Sequence, residues 1–266
     1  MATADGVPVE LNTSVPHIAR IYDYWLGGKD NFAVDREAAE RALAIMPNLA
    51  GKARANRAFL GRAVHHLAAE AGIRQFLDIG TGLPAADNTH EVAQRVAPDS
   101  RIVYVDNDPV VLVHAQAMLT GTREGATAYI DADARNIDEI VDRAAATLDF
   151  SRPVAVMLVA ILHCIPDEDE PLRIVTALRE AVPPGSHLVL SHPTMDLDPQ
   201  GMAEVAATLN RVMPTKVTYR SYAQVERFFD GWEPLEPGIV PAASWRPRHP
   251  HSIEPKAMWA GVARKP

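Results

Sequence analysis

Acidic residues recur at the ends of apolar runs in this chain, and their spacing invites chemistry. "QFLDIG" carries Asp78, "RIVYVD" ends in Asp106, and "TAYIDAD" carries Asp131 and Asp133. Gly80 and Gly82 follow the first acid, one residue apart. If each run is a strand of one open parallel sheet, these acids gather outside its carboxyl edge, where such sheets bind ligands. An acid past the second strand accepts both hydroxyls of a ribose. A carboxylate beside a backbone amide suits the edge of adenine: it accepts from the exocyclic amine while the amide donates to a ring nitrogen. Asp106 and Asp133 are the candidates for these two tasks.

The glycines raise the question of which adenosine ligand is bound. Gly80-x-Gly82-x-x-Ala85 satisfies the loose dinucleotide fingerprint, and an NAD-dependent oxidoreductase is one reading. A dinucleotide needs a helix N-terminus directly after the glycines, aimed at its phosphates. Here Pro84 and a polar stretch intervene, and the helix signal is delayed to Asn88, with Glu91 at the capping-box position. Asp78 and Asp87 repel phosphate. S-adenosylmethionine has no phosphate; it carries a sulfonium, an ammonium and a carboxylate. An acid at the end of strand one, glycines that admit the methionine portion, and acids for ribose and adenine suit it better. The plainer alternative, a tight turn and nothing more, leaves the convergence of acids unexplained.

Two histidines are candidates for acid–base work. His163 lies just past the apolar run "VAVMLVAIL", near where a methyl acceptor should meet its donor. Imidazole takes up a hydroxyl proton near neutrality; alternatively the ring only satisfies a backbone carbonyl. His192, in "LSHPT" after the fifth strand, is the second candidate. His249 and His251 sit in a Pro-rich loop and read as solvated. No ligand spacing supports a metal site.

The elements that must position these groups are legible in the hydrophobic periodicity. Up to about residue 72 the chain reads as helical. Ile18, Ile21, Tyr22 and Trp25 form one stripe, closed by Gly27-Gly28. "VDREAAERALAIM" is a second helix, stopped near Pro47. The third buries Phe59, Leu60, Ala63, Val64, Leu67, Ala68 and Ala71, with Gly72 as its C-cap. From residue 73 short apolar strands alternate with helical patterns, which implies a parallel sheet with helices on both faces. Two late extended segments, "EPLEPGIV" and "KAMWAGVARK", are expected to form an antiparallel hairpin at one edge. The expected architecture is α/β: a doubly wound Rossmann-like unit over 73–266 with a helical cap over 1–72.

Composition narrows the partners. Net charge is −8, and the segment 71–210 is more acidic than the whole, with 9 basic against 21 acidic residues. An acidic middle disfavours nucleic acid, whose affinity rests on phosphate neutralisation. The longest apolar run, nine residues from Val154 to Leu162, is too short to span a bilayer. The N-terminus lacks the pattern of a signal peptide, and Cys164 is the single cysteine. A cytoplasmic, reducing setting is expected.

"FLDIGTGLP", "VYVDNDPVVL", "DADARN" and "AILHCIPDEDEP" resemble the successive motifs of class I S-adenosylmethionine-dependent methyltransferases. "SVPHIARIYDYWLGGKDNFAVDREAAERAL" and "ARANRAFLGRAV" are more specific. They resemble one bacterial family of S-adenosyl methyltransferases formerly classed as a domain of unknown function. The likeness runs from about Thr13 to the C-terminus.

The resemblance implies the class I fold and S-adenosyl-L-methionine as cosubstrate, with Asp78, Gly80, Gly82, Asp106 and Asp133 lining its site. Asn107 and Ala134 would meet the adenine. The N-terminal helices would cover the cofactor, with Tyr22, Asp30 and Asn31 as candidate lid contacts; Tyr22 and Trp25 are equally readable as core. Arg57 either pairs with the methionine carboxylate or with an acid such as Asp23. The acceptor is expected to be a small molecule. Nucleobase and glutamine N-methyltransferases carry an Asn/Asp-Pro-Pro-aromatic turn after strand four, which "AILHCIP" replaces. A similar leucine- or cysteine-histidine step carries the catalytic histidine in plant small-molecule O-methyltransferases. A binding module without turnover is the alternative from another class.

Overall fold

The computed structural model describes residues 13–118, 121–247 and 257–266. Three helices lead: α1 (Ile18–Leu26), α2 (Ala33–Ile45) and α3 (Leu49–Ala69). Strands and helices then alternate as β1 (Gln75–Ile79), α4 (Thr89–Val96), β2 (Arg101–Asp106), α5 (Pro109–Met118), β3 (Ala126–Asp131), α6 (Ile137–Ala144), β4 (Ala155–Val159), α7 (Pro171–Ala181) and β5 (His187–Pro193). The chain closes with α8 (Pro199–Val212), α9 (Tyr222–Glu226), β6 (Glu233–Pro234), β7 (Val240–Pro241) and β8 (Met258–Arg264). Among the described residues no helix is long and apolar enough to cross a membrane.

The sheet runs in the order β3-β2-β1-β4-β5-β8-β6, with β7 also on β8. Strands β1 to β5 are parallel, and β8 is antiparallel to β5. Strand order reverses between β1 and β4, so the loops leaving their carboxyl ends part and open a crevice between them. Every residue of β1 is buried, because helices cover both faces. The period-two alternation of side chains sorts them. Leu77, Val103, Val156 and Leu188 pack on one side with Ile140 and Leu178 from α6 and α7. Phe76, Ile102, Met157 and Val189 pack on the other with Phe59, Val64 and Leu67 of α3. A third core joins Ile21 and Trp25 of α1, Ala39 and Ala42 of α2, Leu49 and Ala53 of α3, and Val205 and Leu209 of α8.

Two local expectations are corrected. Ala71 is exposed rather than part of the α3 stripe. The helix ends at Ala69 with Glu70 as its C-cap, and Gly72 takes the left-handed φ of +70° beyond it. "EPLEPGIV" is not one strand. Only its two ends pair with β8, because Pro237 has no amide to donate and Gly238 turns the chain at φ +84°. The closing strand β8 is therefore interior, held between β5 and β6. The expected helix starts hold elsewhere: α4 begins at Thr89, and Glu91 reaches back to the Asn88 amide at 2.8 Å.

Candidate functional site

A cleft lies over the crevice between β1 and β4, walled on the far side by α1, α3 and the start of α8. Asp78, Gly80, Gly82, Asp106, Asn107, Asp133 and Ala134 all line it. So do Tyr22, Arg57 and His163. Asp30, Asn31 and His192 are not among its lining residues.

The glycine loop is built by backbone geometry. Gly80 has φ +74°, and a Cβ there would sit 2.5 Å from Ile161 Cγ1 in the loop after β4. Only glycine allows both the left-handed backbone and that approach. Gly82 has φ +67° with nothing within 4 Å of a would-be Cβ, so its backbone faces open space. Its amide donates to Asp106 Oδ2 at 2.7 Å. Asp106 Oδ1 accepts from the Asp108 amide at 3.0 Å, which fixes the carboxylate over the glycines.

The acids differ in electrostatic setting. Asp78 is 4% exposed and accepts from Thr89 Oγ1 at 2.6 Å. Burial pushes its carboxyl up to about 6, against the counter-effects of Thr89 and Arg57. Asp106 is also raised by burial, partly offset by the two amides. Asp133 is lowered instead, because the Arg135 guanidinium grips it. Arg135 Nε and Nη2 donate at 2.8 and 2.6 Å, while Nη1 reaches Asp169 at 2.6 Å. Asn107 adds a smaller lowering effect. Asp131 is exposed at the strand end and does not line the cleft.

The N-terminal residues sort unevenly. The Tyr22 hydroxyl donates to the Ala53 carbonyl at 3.0 Å and accepts from Asn56 Nδ2 at 3.1 Å. Asn31 is buried away from the cleft and donates to Asp23 Oδ2 at 2.8 Å and to the Gly28 carbonyl at 3.1 Å. Asp30 faces His114 at 3.3 Å. Arg57 does not pair with Asp23. Its Nε meets the Ala86 carbonyl at 3.2 Å and its Nη2 meets Asn88 Oδ1 at 2.8 Å, because α3 lays it along the loop after β1.

The histidines part company. His163 occupies a single 3-10 turn, Leu162–Cys164. It is 5% exposed, and its Nδ1 has no hydrogen-bond partner among the described residues. Burial and the nearby Arg220 pull its pKa down to about 3. Nε2 lies 3.5 Å from Cys164 Sγ. His192 is fully buried, with Nδ1 2.7 Å from the Pro193 carbonyl and Nε2 3.0 Å from Arg220 Nη1. An arginine can only donate, so Nε2 is the acceptor and Nδ1 carries the proton. No lone pair remains, and His192, which lies within β5 and not after it as expected, cannot serve as a base. His249 and His251 lie outside the described residues.

Sequence reasoning overlooked several residues. Arg220, 3% exposed, donates to the Leu162 and Ile165 carbonyls at 2.8 Å each and to Asp167 at 2.7 Å. It pins the segment that presents His163. Arg20 bridges Asp35 at 2.9 Å and Asp108 at 3.3 Å, and His17 meets Asp108 at 2.9 Å. This network fastens α1 to the tip of β2. Lys52 and Asn56, on the cleft side of α3, were hidden inside a helical pattern whose apolar stripe drew the attention. No local signal marks these residues: Arg220 serves partners 53 to 58 residues away, and Asn56 meets Tyr22 34 residues away.

Comparison with known proteins places this geometry. The chain matches the profile of the S-adenosyl methyltransferase family over residues 5–266. It is 46% identical to a crystallised DUF574 family protein from Streptomyces avermitilis, with a TM-score of 0.93 over 97% of this chain and 100% of that one. A presumptive methyltransferase from Thermobifida fusca is 41% identical, with a TM-score of 0.87 over 96% of each chain. A SAM-dependent methyltransferase from Anabaena variabilis shares the fold at 12% identity, with a TM-score of 0.52 over 97% of this chain and 100% of that one. Comparison with curated proteins gives no match. The chain therefore belongs to the S-adenosyl methyltransferase family, and S-adenosylmethionine is its cosubstrate.

Proposed function

We propose that the chain methylates a small-molecule acceptor held between the loop after β4 and helices α1, α3 and α8, with His163 receiving the acceptor's proton. The cosubstrate supplies a methyl group already activated for displacement. The protein's work is then to hold two reactants in line and to exclude water. The residues at the strand ends suit the cosubstrate: buried acids rather than phosphate donors line the loop, and the Gly82 backbone leaves room for close approach. Asp106 takes the ribose, Asp133 with Asn107 and Ala134 takes the adenine, and Asp78 with Gly80 and Gly82 takes the methionine portion. Arg57 holds the loop around that portion, Tyr22 walls it, and Asn31 acts at one remove by orienting Asp23. The described residues of the segment 1–72 serve as the cap and those of 73–266 as the cofactor-binding unit.

The observation that carries this reading is His163, a lining residue of the same cleft whose buried Nδ1 has no partner among the described residues. With its proton on Nε2, towards Cys164, Nδ1 is left as a bare acceptor beneath the wall of the cleft. A ring held down to about 3 stays neutral at every working pH. It is also a weak base, so proton uptake must accompany methyl transfer, when the acceptor hydroxyl is most acidic. The acceptor oxygen gains the methyl group, its proton passes to His163, and S-adenosylhomocysteine is released. The test is S-adenosylhomocysteine formation across a panel of phenols, alcohols and amines. Turnover that His163→Ala lowers about a hundredfold, with cofactor affinity intact, supports the reading. Tight cofactor binding with no turnover on any acceptor would instead favour a binding module.

A further inference from the structure

Lys52 is an unusual residue to find in this cleft. Its side chain is 5% exposed, yet among the described residues its ammonium meets no oxygen at hydrogen-bonding distance. The Met46 Sδ lies at 2.8 Å, a weak acceptor. The Asp198 carboxylate stands 3.8 Å away. That carboxylate is half exposed and already caps α8 through the Gly201 amide at 3.3 Å. A buried charge so poorly partnered is costly. Burial accordingly pulls the Lys52 pKa down, and Asp198 only partly restores it.

One helical turn further along α3 stands Asn56, 2% exposed. Its Nδ2 is spent on the Tyr22 hydroxyl, and its Oδ1 has no partner among the described residues. Lys52, Asn56 and His163 line one cleft whose neighbouring wall is apolar, with Leu49, Met202 and Ile165. Three groups with unmet hydrogen-bonding capacity line this one cleft, and a single ligand there would meet them together. The polarity differs along α3. Arg57 reaches the loop after β1, next to the acids of the cofactor end, whereas Lys52 faces α8.

We propose that Lys52 anchors a carboxylate on the methyl acceptor, so that the substrates of this cleft are small acids with an apolar body and a hydroxyl or amine. This rests on the reading of the cleft as the methyl-acceptor site. The Asn56 Oδ1 accepts from a second polar group of the same molecule, and the apolar wall takes its body. The rival occupant of Lys52 is the carboxylate of the cosubstrate itself. Arg57, five residues on and about 7 Å further along the helix axis, is closer to the acids that hold that molecule.

The probes are 4-hydroxybenzoate, salicylate and 4-hydroxyphenylacetate, each beside its methyl ester, titrated calorimetrically into full-length protein saturated with S-adenosylhomocysteine. At least one acid should bind about tenfold tighter than its ester, the order of one charge-assisted hydrogen bond. Lys52→Met should erase that preference and leave S-adenosylhomocysteine affinity within about twofold. Asp198→Asn, which keeps the cap of α8 and removes the competing carboxylate, should strengthen acid binding. Equal binding of acids and esters overturns the proposal, as does a preference that survives Lys52→Met. A large loss of S-adenosylhomocysteine affinity in that variant assigns Lys52 to the cosubstrate and also overturns it. Acid preference without turnover on any bound acid leaves the anchor standing and removes the transfer reading.

Discussion

Arg220 Nη1 stands 3.0 Å from His192 Nε2, and this contact decides two roles at once. It commits the last free nitrogen of His192, and it holds in place the guanidinium that donates to the carbonyls on either side of His163. The same side chain serves the carbonyls of Leu162 and Ile165 and the carboxylate of Asp167. Arg220→Met should therefore strand buried acceptors and destabilise the fold by about 3 kcal/mol, read as a lower urea midpoint. Arg220→Lys keeps the charge but not the fork and should recover only part of the loss. A midpoint unchanged in Arg220→Met would show that the turn is held by something else.

Asp78 sets a conflict between stability and binding. Its carboxyl is raised from 3.8 to about 6. Between those values the folded protein keeps a proton that the unfolded chain has released. The contribution of this group to stability is fully present below 3.8 and declines as pH rises through 6. Asp78→Asn removes that cost, about 3 kcal/mol at neutral pH, and still offers an oxygen to Thr89. The cofactor-free variant should melt several degrees higher at pH 7.5 and bind S-adenosylmethionine more weakly, as scanning calorimetry and titration would show.

The same titration predicts a pH dependence of binding. On the proposed placement, Asp78 becomes neutral as pH falls from 7.5 to 5 and loses its attraction for the ammonium and sulfonium of the cosubstrate. Affinity should fall over that window in the wild-type protein and stay flatter in Asp78→Asn. His163, held down to about 3, contributes no step there. A turnover profile with a limb at 6.5 that disappears in His163→Ala would contradict the buried, neutral ring.

Gly80 and Ile161 lock the two loops of the crevice together. Gly80→Ala meets both the left-handed φ and the Ile161 side chain, and should cost about 2–4 kcal/mol. Ile161→Ala clears the steric part, so the double variant should lose less than the two single losses combined. Chemical denaturation of all four proteins closes the cycle. Simple additivity would mean that the contact carries no energy.

Asp106 joins the glycine loop to the proposed ribose site. Asp106→Ala should lower S-adenosylhomocysteine affinity at least tenfold, because it removes a charge-assisted acceptor and frees the Gly82 amide. Calorimetric titration checks this, and an unchanged affinity removes the ribose assignment.

The sequence by itself determined the alternation of strands and helices, the acids at the strand ends and the delayed start of α4. Each of these is a local matter: a run of apolar residues, a capping pair, a glycine that admits φ above zero. It also held the family likeness, whose motifs sit in those same local stretches. The late start of α4 was legible because Asn88 and Glu91 are three residues apart. Only the tertiary structure decided what the polar side chains are free to do. Whether His163 or His192 keeps a lone pair depends on Arg220, 28 residues beyond the nearer of the two. Whether Arg57 meets Asp23 or the loop after β1 depends on how α3 lies across the sheet. Lys52 and Asn56 became candidates only when packing buried them without adequate partners. Hydrogen-bond capacity is a property of the completed neighbourhood, and residues distant in the chain complete it.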